Sequence, residues 1–168
     1  QQAITDINGH KGRFYTGRIK LYVPRDKWQK KLTDYSALKI AYQEGREKFI
    51  PPERTYLINS DDLEILNQYN AEIRGIYNYY RIADNVSTLG DFYYVMKFSL
   101  FKTFAAKYKT HISRIRRKYG YKRFGVKYPS KSGRAVAYLY DEGFRKNRSG
   151  ISRPDVDIIP QVHRNLNS

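Results

Sequence analysis

From Leu89 to about Lys118 an apolar residue returns every third or fourth position: Phe92, Met96, Leu100, Phe104, Tyr108, Ile112 and Ile115. That period is helical, so the segment is expected as one continuous helix, roughly 45 Å long at 1.5 Å per residue. A helix with a single apolar stripe must bury it against other elements, which commits the chain to a mainly α fold. Thr88 and Asp91 supply the start signal. The stripe is expected as core. Lys107, Arg114 and Lys118 share another face, which Arg116 and Arg117 widen.

The preceding helix is expected over 61–84, with Asn59 as N-cap, Asp62 at the third position and Asp61 and Asp62 favouring the positive dipole end. Leu63, Leu66, Ile73, Tyr77 and Tyr80 carry its apolar pattern. Gly75 inside it costs about 1 kcal/mol relative to Ala and permits a close approach. Earlier, Arg18 to Val23 alternates like a short strand, Pro24 suits a helix start, and Trp28 and Leu32 form an apolar pair. Residues 36–56 show no clear period, with a break at Pro51-Pro52. After Tyr119 the period changes: Tyr121 to Tyr128 and Arg134 to Tyr140 read as a β-hairpin joined by residues 129–133. The expected class is therefore mainly α, with a short N-terminal strand and a small C-terminal hairpin.

Charge narrows the function. Between Asp91 and Asp141 no acidic residue occurs, while thirteen Lys and Arg fall in the 49 positions between. The 168-residue chain has a formal net charge of +16. A one-sign field on a small domain points to a polyanionic partner, and the interleaved aromatics favour RNA over duplex DNA. Arg25, Lys27, Lys30 and Lys31 form a smaller cluster, read as a solvated helix face. Hydrophobic content of 40% supports a real core. There is no cysteine, hence no disulfide framework or cysteine zinc site. No apolar run spans a membrane and no signal peptide opens the chain. The missing initiator Met suggests a fragment or a processed chain. No catalytic grouping emerges. Asp61-Asp62 reads as a helix start, Asp155 and Asp157 lack a scaffold, His10, His111 and His163 are scattered, and the glycines at 9, 12 and 17 form no phosphate loop.

Ile73-Arg74-Gly75-Ile76-Tyr77-Asn78-Tyr79-Tyr80-Arg81-Ile82-Ala83-Asp84-Asn85 resembles the maturase segment of group II intron-encoded reverse transcriptases. A second block, Ser99-Leu100-Phe101-Lys102-Thr103-Phe104-Ala105-Ala106-Lys107-Tyr108-Lys109, continues the likeness. It is followed by Ile112-Ser113-Arg114-Ile115 and Lys118-Tyr119. Phe104 and Tyr108 depart mildly from the family pattern. Gly17 to Pro24 resembles the stretch that joins the palm to this region, and Phe124 to Tyr128 its closing part. The resemblance covers about residues 11 to 145.

This resemblance implies a helical, thumb-like bundle, also called domain X, that binds intron RNA and helps it fold and splice. It implies a tail or linker over 1–17, a palm-to-thumb connector over 18–58, maturase helices and hairpin over 59–143, and a basic linker or the start of a DNA-binding region over 144–168. The palm's Tyr-x-Asp-Asp and the cysteine-rich endonuclease are absent, so no catalytic or metal residue is assigned to this fragment. Mg²⁺ is implied only for the partner ribozyme and the parent polymerase. Phosphate contact is expected from Arg74, Lys97, Lys102, Lys107, Lys109, Arg114, Arg116, Arg117, Lys118, Lys122 and Arg123. Tyr77, Asn78, Tyr79 and Tyr80 are assigned to packing before base stacking. Rival partners are a template–primer RNA–DNA hybrid, gripped as a polymerase thumb does, and target DNA. The missing fingers–palm region is a further partner, and a bacterial cytoplasm is preferred to an organelle.

Overall fold

The computed structural model describes residues 4–5, 11–12, 20–120, 123–131 and 133–147. Two-residue strands β1 (Ile4–Thr5) and β2 (Lys11–Gly12) pair antiparallel. Then come α1 (Arg25–Asp34), β3 (Lys39–Gln43), β4 (Arg46–Ile50), α2 (Asp62–Tyr80), α3 (Leu89–Lys107), α4 (Ile112–Tyr119), β5 (Gly125–Ser130) and β6 (Gly133–Tyr138). Single 3₁₀ turns, Thr55–Leu57 and Val86–Thr88, precede α2 and α3. The expected class, mainly helical with a small C-terminal hairpin, is observed, and the strand at the N-terminal end is supplied by β1 and β2.

The core forms where the helical stripes meet. Leu66, Tyr69, Ile73 and Ile76 of α2 face Phe92, Met96, Leu100 and Phe104 of α3, all of them buried. Trp28 and Leu32, one turn apart on α1, close the same core, and Trp28 meets the ring of Phe49 edge-on at 6.1 Å. Phe124, Val126, Leu139 and Tyr140 seal the hairpin end. The 125–138 pairing brings Gly125 opposite Tyr138, whose ring lies 2.8 Å from where a Cβ of residue 125 would stand. A side chain at 125 would displace that ring.

The continuous helix expected over 89–118 is broken. α3 stops at Lys107, and Thr110 N–H donates to Ala105 O at 2.9 Å while Lys109 N–H donates to Ala106 O at 3.2 Å. These two bonds make a Schellman ending, with Lys109 in the left-handed region at φ 48°. α1 ends the same way: Ala37 donates to Leu32 O, Ser36 to Thr33 O, and Ser36 sits at φ 55°. Neither stop uses glycine, so neither was visible as one. The α2 cap also differs: Asp61, not Asn59, is the N-cap residue and makes no side-chain cap bond. Thr88 occupies the N-cap of α3 but donates its hydroxyl back to Asn85 O at 2.8 Å.

Hairpin β3–β4, in the stretch without clear period, turns through Glu44 at φ 53° and Gly45 at φ 73°. Both values are positive, as a two-residue type I′ turn requires. Of the strand expected over 18–23, Arg18 and Ile19 lie outside the described residues, and residues 20–23 lie in no strand. Asparagine side chains replace a ladder there. Asn85 Oδ1 accepts Val23 N–H at 2.7 Å and its Nδ2 donates to Val23 O at 3.3 Å, while Asp84 N–H donates to Leu21 O at 2.8 Å. Asn70 does the same at the hairpin, donating to Tyr138 O at 2.9 Å and accepting from Tyr140 N–H at 2.8 Å. Each amide satisfies a buried or half-buried backbone edge that has no strand beside it.

Candidate nucleic-acid interface

The break after α3 creates the basic surface. Ile115 is buried and Ile112 packs beside it, so the other side of α4 turns outward with Arg114, Arg117 and Lys118. Lys109 is exposed on the turn just before it. The Lys118 ammonium lies 4.3 Å from the Tyr108 ring centre and 4.9 Å from that of Tyr119, a cation–π arrangement in an exposed residue. Arg116 is half-buried, its guanidinium 5.9 Å from the Phe101 ring. Lys97 reaches the same ring at 6.0 Å. Lys97 and Arg123 together line a groove of about 230 Å³ with Tyr93, Phe124 and Asp141. Burial, and then the charge of Asp141, pushes the Tyr93 hydroxyl up to about 12.

Two of the expected phosphate contacts are paired with carboxylates of the chain itself, Arg123 at the surface and Lys107 half-buried. Arg123 pairs with Asp141 at 2.8 Å and lies over the Tyr138 ring at 4.2 Å. Lys107 donates to Asp62 at 2.8 Å and to Ser60 O at 2.5 Å. Lys107 therefore does not share an open face with Arg114 and Lys118: the Schellman turn breaks the register that placed them together. Lys102 is half-buried on α3, and Arg74 is exposed on α2. Lys122 lies outside the described residues. Tyr77 packs on Tyr140 and Phe144 and donates to Arg145 O at 2.9 Å. Asn78 and Tyr79 are exposed, whereas Tyr80 is half-buried.

Asp62 holds this surface together. Its carboxylate accepts from Lys107, from Tyr108 at 2.7 Å and from Tyr119 at 2.5 Å, joining the start of α2 to the ends of α3 and α4. Sequence reasoning gave Asp62 a capping role; its actual partners are 45 and more positions away. Arg54 also escaped notice. It is wholly buried, donates to Glu72 at 2.6 Å and stacks over Tyr69 at 4.2 Å. A lone Arg after Pro51-Pro52-Glu53 carries no local signal of burial.

The type II intron maturase family matches residues 16–157. The chain belongs to that family. Group II intron-encoded protein LtrA of Lactococcus lactis subsp. cremoris is 38% identical over 132 residues, 77% of this chain and 22% of that protein. Maturase K of Huperzia lucidula is 33% identical over 100 residues, 56% of this chain and 19% of that one. The chain thus spans about a fifth of the length of these curated relatives. The maturase blocks now have structural roles. In the first, Ile73, Ile76 and Ala83 are buried and Asp84-Asn85 hold Leu21 to Val23. In the second, Ser99 and Thr103 bond the Tyr69 hydroxyl at 2.9 and 3.0 Å, and Ser99 also donates to Pro52 O. Among the described residues no group of three His, Asp or Glu could hold a metal ion, and no helix is long and apolar enough to cross a membrane.

The maturase fold should show an acid-sensitive step at Asp62. Burial raises its carboxyl, but hydrogen bonds from Lys107, Tyr119 and Tyr108, with the charge of Lys107, outweigh it and hold the group below the usual carboxylate range. A depressed carboxyl stabilises the folded state above the ordinary value of about 3.9, and that contribution is lost as pH falls through the lower folded value. Asp62→Asn is expected to cost about 1–2 kcal/mol at neutral pH, discounted for partial exposure. The difference from the parent should shrink as pH falls below about 4. Urea melts across pH check this; a constant difference would remove Asp62 from the acid response.

Proposed function

We propose that this maturase segment binds group II intron RNA through α4 and the adjoining side of α3, and thereby assists intron folding and splicing. One observation carries the reading. Lys109, Arg114, Arg117 and Lys118 are exposed within ten residues, and among the described residues no carboxylate lies within ion-pair distance of any of them. Repulsion among these charges is relieved by phosphates, and folded RNA supplies phosphates at close spacing. Cleavage and ligation belong to the RNA and its Mg²⁺ on this reading. The protein contributes charge neutralisation and a rigid shape. Lys97, Lys102, Arg116 and Arg123 extend the same surface, whereas Arg74 would form a separate contact. In the longer parent protein this segment would pack against a fingers–palm region. A bacterial cytoplasm is the setting we favour, supported by the Lactococcus relative.

The test is filter binding of intron RNA across a salt series. Contact with five phosphates gives a log–log slope of about −4 to −5. Arg114→Gln, Arg117→Gln and Lys118→Gln together should flatten the slope by about 2–3 units. Thermal unfolding should barely change, because exposed charges contribute little to stability. A flat response of the parent chain would overturn the proposal. An RNA–DNA hybrid bound as tightly as intron RNA would instead assign the surface to a polymerase thumb.

A further inference from the structure

A second basic surface stands apart from α4. Lys27, Lys30 and Lys31 of α1, with Gly75, Tyr79 and Tyr80 of α2, line a groove of about 570 Å³. That size lies within the roughly 300–1,000 Å³ of small-ligand pockets. Lys30 and Lys31 lie three and four positions after Lys27, so both share a helix face with it and repel it. Asp34 is the one acidic residue of the lining, and Lys27 reaches only Asp26, at 4.0 Å, with both side chains exposed. Among the described residues no carboxylate lies within ion-pair distance of Lys30 or Lys31.

The aromatic half of the groove is equally unspent. Tyr79 is 76% exposed, the most open large apolar side chain among the described residues. Tyr80 packs against it in a T-shaped pair, with ring centres 4.7 Å apart at 85°, and Tyr79 still keeps most of its surface in solvent. One helical turn earlier stands Gly75, where an added Cβ would meet nothing within 4 Å. Packing does not demand a glycine there. The bare backbone instead keeps the groove open beside Tyr79.

We propose that this groove binds an unpaired segment of RNA, with one base lying on the face of Tyr79 and the flanking phosphates on Lys27, Lys30 and Lys31. The proposal rests on the reading that the partner is RNA, and adds a single-stranded contact remote in sequence from α4. A duplex hides its base faces, whereas an unpaired nucleotide offers a flat ring and a phosphate together. An acidic peptide matches the lysines but leaves the aromatic face without a counterpart.

The probe is a ten-nucleotide single-stranded RNA carrying 4-thiouridine, titrated onto the whole 168-residue chain. Tyr79→Ala should weaken binding about tenfold, the loss expected for one stacked base, and Tyr79→Trp should restore it. Gly75→Leu should weaken binding comparably by filling the groove, with unchanged or higher melting because Leu favours helix over Gly. Photocrosslinking should attach the thiouridine to the peptide holding Tyr79. Parent-like affinity in Tyr79→Ala and Gly75→Leu, with crosslinks only elsewhere, overturns the groove. If intron RNA still binds with its steep salt response, that failure leaves the α4 proposal standing; if the parent binds no RNA, both fall. Displacement of the decamer by a poly-glutamate peptide that is indifferent to Tyr79→Ala would assign the groove to an acidic protein and overturn the RNA proposal.

Discussion

Glu72→Ala is expected to destabilise the fold by about 3–5 kcal/mol, the usual consequence of removing one partner from a buried ion pair. Arg54 is wholly buried, and its Nη2 donates to Glu72 at 2.6 Å while its backbone N–H donates to Thr103 Oγ1 at 3.0 Å. The guanidinium lies on the Tyr69 ring, and among the described residues its Nε and Nη1 meet no acceptor. Removing Glu72 therefore strands a cation whose remaining neighbours, among the described residues, are the Tyr69 and Tyr35 rings and the Met96 sulfur. Desolvation then dominates. Replacing both partners, Arg54→Met with Glu72→Leu, should recover most of the loss, because neither desolvated charge remains. Denaturant melts of the two singles and the double form the test. A single variant losing less than about 1 kcal/mol would show that water reaches the pair.

Phe104→Ala should lose a comparable amount, about 3–5 kcal/mol for a fully buried Phe. Its ring touches those of Tyr119 and Phe124, with centres 5.0 and 5.1 Å away, and Tyr119 stacks on Phe124 at 5.1 Å. The cavity would open beneath α4, where little can collapse because the Tyr119 hydroxyl is tied to Asp62. On the proposed RNA-binding reading, the variant should keep most of its affinity below its melting transition, since Arg114, Arg117 and Lys118 remain on the outer side. The charge variant of α4 should show the reverse pattern, normal melting with weakened binding. Paired melting and titration curves separate the two faces. An early-melting charge variant that binds normally would place the RNA on the other side of α4.

Much of this arrangement was legible in the chain itself. The apolar recurrence from Phe92 to Phe104 named the buried face of α3, and Leu66 with Ile73 that of α2, because a helical period projects core residues onto one side. The acid-free run located the basic surface, and the two maturase blocks named the family. Tertiary structure decided the rest. The stop after Lys107 depends on Lys109 adopting a left-handed conformation that its side chain does not advertise. The β3–β4 turn uses Glu44-Gly45, a weaker signal than Asn-Gly. Asp62 looked like a helix cap because only Asn59 and Leu63 were near it in sequence, yet Lys107, Tyr108 and Tyr119 meet it in space. Lys107 and Arg114 seemed equivalent charges until one was bound to a carboxylate and the other left in solvent. Periodicity and composition are local properties, so the sequence carried them openly; the burial of Arg54 beside Glu72 and the meeting of Lys107, Tyr108 and Tyr119 on Asp62 depend on residues eighteen to fifty-seven positions apart, which come together only when the helices pack.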